Sequence, residues 1–303
     1  MIKSLKEMIE AARSTGKKKL AVAAANELDV LTAVEQARKE NIIDGILIGD
    51  KSSIESACSE AGLNPGEYKI IDIKAPKRAA IECCRLIHKG DADFMMKGAI
   101  KTSDFMKAIL DRQAGLSAGG LLSHVAVFEI ESMDRLLFVT DAAINIYPDI
   151  SEKAMIIQNA VNIARNIGYD RPKVASLGAV EVVNAEKMPD TIESATLSKM
   201  AERGQIEGCD VDGPLALDVA VSMQAVETKG LKSNVAGKAD ILVAPEIISA
   251  NVLYKSLTYL AGAQAAAIVT GTIAPVILTS RADDHTTKFL SIVLGAAGVK
   301  SEG

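Results

Sequence analysis

The chain has no tryptophan, and aromatic residues make up only 3% of it although 49% of its 303 residues are hydrophobic. Such a core must be filled by Ala, Val, Ile and Leu, which suits parallel strands covered by helices better than a β-sandwich. A run of about twenty apolar residues is also missing, which excludes a membrane-spanning helix. There is no basic tract, and the formal net charge is −5, which argues against nucleic acid as the main partner. An anionic ligand must therefore be met by local cations. The four cysteines, Cys58, Cys83, Cys84 and Cys209, show neither metal-ligand spacing nor a disulfide framework. The adjacent Cys83–Cys84 pair reads as small apolar residues of a helix in a reducing compartment. Residues 1–7 read as the start of an amphipathic helix without the apolar core of a signal peptide, so a cytoplasmic location is expected. Three motifs are missing as well: a G-x-G-x-x-G after the first strand, a G-x-x-x-x-G-K-[ST] loop and a G-x-S-x-G elbow. Dinucleotide, P-loop and serine-elbow chemistry thus lack their loops.

What is present is alternation. Strand patterns at 18–24, 44–48, 69–73 and 93–96 are separated by helical patterns at 29–40, 52–61 and 79–89. Strands spaced by helices of about ten residues mean βαβ units and a parallel sheet, hence an α/β fold. Asp29 reads as the cap of the first of these helices and serines as caps of the second. Two apolar stretches, 124–131 and 136–140, flank a short turn and suggest an antiparallel hairpin. A long helix at 151–167, strands at 173–177 and 239–245, a helix at 250–261 and an apolar sheet segment at 268–278 follow. The hairpin and the renewed alternation place the start of a second α/β domain between about 121 and 135.

Polar groups gather where strands hand over to helices. Thr279-Ser280-Arg281-Ala282-Asp283-Asp284-His285 brings a hydroxyl, a guanidinium, two carboxylates and an imidazole to a helix start. Open α/β sheets bind ligands outside the carboxyl ends of their strands, and a helix N-terminus offers N–H groups to an anion. Read alone, the segment serves equally well as a helix cap with acids in its first turn. Lys97-Gly98 with Lys101, Thr102, Ser103 and Asp104 reads as a phosphate cradle or as a plain turn capped by Ser103. Asp141 to Pro148 puts an acid and the amide of Asn145 on a loop. Asp210, Asp212 and Asp218 read as a third, acidic loop without the oxygen spacing of a metal site. Asn251, Tyr254 and Lys255 lie three and four residues apart, on one helix face.

Taken in order, five groups of residues resemble the phosphate acetyl/butyryltransferase family over essentially the whole chain. They are Lys97-Gly98-Ala99 with Thr102-x-Asp104, Phe138-x-x-Asp141-Ala142-Ala143-Ile144-Asn145, Asp212-Gly213-Pro214 with Asp218, Val243-x-Pro245-Glu246 with Asn251 and Tyr254-Lys255, and Ser280-Arg281-x-Asp283-Asp284. The butyryl branch fits best. The acetyl branch carries a Cys where Ala142 stands, an Arg where Lys107 stands, another Arg near Thr258 and Tyr259, and a longer Ser-Arg to Asp-Asp segment. These departures put more weight on Arg281, Lys97, Lys101 and Lys107 as anion contacts.

The resemblance implies two three-layer α/β domains of the isocitrate/isopropylmalate dehydrogenase type with an active-site cleft between them. The expected boundaries are 1–127 plus 272–303 for the first and 128–271 for the second, through which subunits would associate. The implied reaction is acyl-CoA plus phosphate to acyl phosphate plus CoA, by direct attack in a ternary complex. CoA and phosphate are then substrates, and neither a cofactor nor a metal is called for. By the family match Asp284 takes the thiol proton, with Asp283 as the alternative, Ser280 donates a hydrogen bond and Arg281 grips phosphate. Lys97, Gly98, Thr102, Asp141, Asn145, Asn251, Lys255 and His285 are the implied binding residues. The competing readings are an acetyl-preferring enzyme, a metal- and NAD-dependent decarboxylating dehydrogenase on the same fold, and a non-catalytic sensor of acyl phosphate or CoA.

Overall fold

The structure is a computed structural model and describes residues 2–280 and 283–299. It has a mixed α/β fold made of two compact units. A terminal unit takes Leu5–Gly120 and Ala266–Gly303, and a central unit takes Met1–Ser4 and Leu121–Ala265.

The terminal unit begins with α1 (Leu5–Ser14), β1 (Lys18–Ala23), α2 (Leu28–Lys39), β2 (Ile43–Gly49), α3 (Lys51–Glu60), β3 (Lys69–Asp72), α4 (Pro76–His88), β4 (Phe94–Lys97) and α5 (Thr102–Ile109). The central unit holds β5 (Ser123–Glu129), β6 (Leu137–Thr140), α6 (Ile150–Asn166), β7 (Lys173–Leu177), α7 (Asp190–Glu202), β8 (Asp210–Leu215), α8 (Leu217–Val221), α9 (Met223–Lys229), β9 (Ile241–Val243) and α10 (Ile247–Lys255). α10 runs on into a π-helical turn at Ser256–Leu260. The chain then returns to the terminal unit at Ala266, within β10 (Gln264–Thr270), and adds β11 (Val276–Ile277) and α11 (His285–Gly298) to it.

In the terminal unit the strands run β3-β2-β1-β4-β11-β10. Every neighbouring pair is parallel except β10 with β11. In the central unit the order is β5-β6-β9-β7-β8, with the antiparallel β5–β6 hairpin at one side of three parallel pairings. The sequence explains these strands. Leu20, Ala21, Val22 and Ala23 are all fully buried, so β1 is apolar on both faces, as an inner parallel strand must be. Helix ends are fixed by side chains. Asp50 accepts the N–H of Ser53 at the start of α3, and Asp149 with Glu152 forms a capping box on α6.

α11 is the most deeply packed helix of the terminal unit, with every residue from Lys288 to Gly298 buried. Gly295 is required there, because a Cβ would lie 2.9 Å from the Phe94 ring. Leaving that space lets fully buried Phe94 seat against the helix, a gain of roughly 1.5–3 kcal/mol over an exposed ring.

Several sequence expectations need correction. The acidic stretch from Asp210 is strand β8, not a loop; Asp212 lies within it and Asp218 follows in α8. α2 starts at Leu28, so Asp29 sits inside the first turn and does not cap it. α3 is capped by Asp50 and not by a serine. The residue capping α5 is Lys101, and Ser103 already lies within the helix. The apolar segment 268–278 is two antiparallel strands, because the residues between Thr270 and Val276 turn the chain back. Among the described residues no helix is long and apolar enough to cross a membrane.

One polar cluster reports on stability. The carboxylate of Glu35, 9% exposed, takes two hydrogen bonds from Arg38, at 2.8 and 3.2 Å, and one from the Tyr68 hydroxyl. The Arg38 hydrogen bond is the main cause that lowers its pKa from 4.5 to about 2. A depressed carboxylate contributes stability above its unfolded value and loses it as pH falls through the folded one. Glu35→Gln should therefore lower the thermal midpoint by a few degrees at pH 7. The gap to the wild type should close between pH 4.5 and about 2, as read by thermal denaturation across that range.

Candidate active site

In the terminal unit two turns leave adjacent strand ends. β4 and β11 pair in parallel, with Met96 opposite Ile277. The Lys97–Gly98 turn and the Ser280 turn therefore emerge side by side at carboxyl ends. Gly98 donates its N–H to Ala23 O at 2.8 Å, and Ala99 donates to Ala24 O at 2.8 Å. The chain presses so closely on the end of β1 that a Cβ at Gly98 would lie 2.3 Å from Ala24 O. Lys97, 6% exposed, bends its ammonium back to Gly98 O at 3.1 Å. Thr102 opens α5 with an exposed side chain, and Asp104 in the same turn pairs with Lys77 at 3.1 Å.

The second turn is closed on itself. Ser280 donates its N–H to Asp283 Oδ2 at 2.7 Å, and Asp283 returns its own N–H to Ser280 O at 3.2 Å. Asp284 is the cap of α11, its Oδ1 accepting the Thr287 N–H at 2.8 Å. That bond holds the Asp284 carboxyl below the usual carboxylate range. Burial pushes Asp283 the other way, above it, while the Ser280 N–H and Lys288 oppose the rise. Two neighbouring carboxylates thus differ in basicity because one caps a helix and the other is shut in. His285 is the exposed first residue of α11. Arg281 lies outside the described residues.

In the central unit Asp141 organises the loop after β6. Only 5% exposed, it accepts N–H groups from Ala143 and Ile144 on Oδ1, each at 2.9 Å. Its Oδ2 accepts the Asn145 N–H at 3.2 Å and the Asn145 side-chain amide at 2.6 Å. The same amide also donates to Leu122 O at 2.8 Å. Asn251 on α10 donates to Ala142 O at 3.1 Å, so Asp141, Asn145 and Asn251 form one bonded group. α10 itself is capped by Glu246, which accepts from Ile248 and Ser249. Behind the loop Tyr254 packs on Ala142, Ala244 and Ala250 and stands edge-on to Phe128 and His124, with ring centroids 5.3 and 5.9 Å apart. Lys255 is exposed at the last residue of α10, outside this bonded group.

Asp212 is engaged locally, accepting from Gly213 N–H at 2.8 Å and from the Ser233 hydroxyl. Asp218 pairs with Lys229 at 3.2 Å. Sequence reasoning missed Lys288, 1% exposed, whose ammonium donates to Asp283 O. The signal was available: it is a single lysine at the head of the apolar stretch of α11. All four cysteines are buried. Desolvation pushes the Cys209 thiol up to about 11 and the Cys84 thiol up to about 12, and raises Cys58 and Cys83 too. Such thiols are poor nucleophiles. Among the described residues, no three His, Cys, Asp or Glu side chains are grouped to hold a metal ion.

Polar turns at the carboxyl ends of parallel strands mark an α/β protein of the kind that takes its ligands there. The chain belongs to the phosphate acetyl/butaryl transferase family, whose model matches residues 4–85 and 77–296. It is 49% identical to a phosphate butyryltransferase of Clostridium acetobutylicum over 98% of both chains. It is 46% identical to a phosphate acetyltransferase of Thermotoga maritima, over 96% of this chain and 98% of the other. Among solved structures, a branched-chain phosphotransacylase from Enterococcus faecalis V583 superposes with a TM-score of 0.82 at 31% identity. That match covers 93% of this chain and 99% of that one.

The tight approach at Gly98 gives a direct test. Gly98→Ala puts a methyl group against two backbone carbonyls that cannot rotate away, so the turn must lift off β1. The expected cost is about 1–3 kcal/mol or more, read as a lower denaturant midpoint with an unchanged slope.

Proposed function

We propose that this protein transfers a short-chain acyl group, with butyryl preferred, between CoA and inorganic phosphate. The observation that carries this is the near-full-length match to a phosphate butyryltransferase. In one direction a phosphate oxygen attacks the thioester carbonyl carbon, the C–S bond breaks and CoA leaves. In the other, the CoA thiol gives up its proton, its sulfur attacks the acyl phosphate and phosphate leaves. The exchange moves an acyl group and a proton with no change of oxidation state, so it calls on no redox cofactor.

We assign the proton to Asp283. The family match points to Asp284, but that carboxylate is spent on capping α11 and its basicity is lowered. Asp283 is half-buried and its pKa is raised by burial, as suits a general base. Ser280 and Arg281 then bind the phosphate and acyl oxygens, with Lys97, Thr102 and His285 as further polar groups of the terminal unit. Asp141 uses its carboxylate oxygens to brace its own loop, so its role is to hold Asn145 and Asn251 in place, and Lys255 supplies an exposed cation.

We also assign each unit to the isocitrate/isopropylmalate dehydrogenase-like type, on the strength of mainly parallel strands with one antiparallel pair in each. Exposed Ile248 and Val252 on α10, with Tyr259 and Leu260 beyond, support self-association through the central unit.

The test is thiol release from C2 to C6 acyl-CoAs with phosphate. Butyryl-CoA should turn over faster than acetyl-CoA, with a graded preference because one methylene is worth only about 1–3 kcal/mol. Asp283→Asn should cost about a hundredfold or more, and Asp284→Asn clearly less. A faster acetyl reaction would return the acetyl reading. A larger loss in Asp284→Asn would return the base to Asp284.

A further inference from the structure

α11 carries a charge where two physical rules disfavour it. Lys288 is the fourth residue of the helix and is 1% exposed. A helix N-terminus bears partial positive charge and repels a cation. A buried ammonium has also lost its hydration and needs close partners in return. The carboxylates that face it, Glu27 before α2 and Asp29 in its first turn, each stand 3.8 Å away. That is beyond hydrogen-bond reach. The bond it does make is to the main-chain carbonyl of Asp283. A residue that breaks local rules is expected at a functional or strained position.

We propose that Lys288 is a positioning residue for Asp283: its buried ammonium ties the turn to α11 and sets a fixed positive charge behind the Asp283 carboxyl. The proposal deepens the assignment of Asp283 as base and rests on that reading. Asp283 is then held at two points, its carboxylate by the Ser280 N–H and its carbonyl by Lys288. The ionisable groups that act on it have opposite effects. Burial and the neighbouring Asp284 favour its protonated form, and Lys288 favours the carboxylate. On the far side of Lys288, Glu27 and Asp29 draw off part of its field, and His285 acts on Asp284. Loss of the cation should keep Asp283 protonated to higher pH. Loss of the two far carboxylates should do the reverse.

The experiment compares pH profiles of kcat/KM for CoA with butyryl phosphate, the direction in which Asp283 must be ionised to take the thiol proton, in the wild type, Lys288→Met, Lys288→Arg and the double variant Glu27→Gln/Asp29→Asn. In Lys288→Met the acid limb should move up by about half a pH unit or more. Lys288→Arg should bring it back towards the wild type even if kcat stays low. The double variant should move it down. A lysine that serves only the fold would change the thermal midpoint or kcat and leave the acid limb in place in all three, which overturns the proposal. Should Lys288→Met not fold, an unmoved limb in the double variant overturns it alone. A ¹³C carboxyl titration of Asp283 in the wild type and double variant reads the same shift without turnover. A protein that fails to transfer acyl groups thus sinks the proposed function, and Lys288 is still judged by that titration.

Discussion

Charge taken out of water has to be met by hydrogen bonds, and in each unit of this protein a buried charged group holds a loop beside the strand ends. In the central unit it is Asp141, whose oxygens collect three backbone N–H groups and one side-chain amide. A carboxylate so fully engaged cannot move without releasing the loop that surrounds it. The position of Asn145, and through Ala142 that of Asn251, follows from this one group. In the terminal unit it is Lys288, whose ammonium donates to the carbonyl of Asp283.

The same constraint explains how a chain of net charge −5 can serve anionic substrates. Its global field does not draw anions in, so the attraction has to be local and directional. In the proposed site, helix starts, glycines that let the backbone come close and a few lysines are the groups assigned to supply it. Gly98 shows the cost of such an arrangement, since its turn lies against two carbonyls with no room for a side chain.

Much of this was legible beforehand. The alternation of apolar runs with helical patterns gave the α/β class, because β1, β2 and β4 are apolar enough to be buried on both faces. β8 was hidden because Asp210, Asp212, Gly213 and Pro214 look like a turn, and the pairing with β7 that makes them a strand is non-local. Caps were misplaced by one or two residues at α2, α3 and α5, where several candidate side chains sit together and geometry selects one. For the site, residue types marked polar turns at the strand ends but not which hydrogen bonds each residue of a turn makes. That Asp284 caps a helix while Asp283 is shut in depends on where α11 begins, which composition does not reveal. Lys288 was missed because its partner, the carbonyl of Asp283, lies behind it in the chain, and only the fold brings them together.

The burial of all four cysteines has a practical side. Chromogenic disulfide reagents react with thiolates they can reach, and here no thiol is both exposed and easily ionised. In a continuous assay the colour would therefore count free CoA alone, without a burst from the protein or slow inactivation by the reagent. The enzyme can be followed in the reagent's presence from the first seconds of turnover.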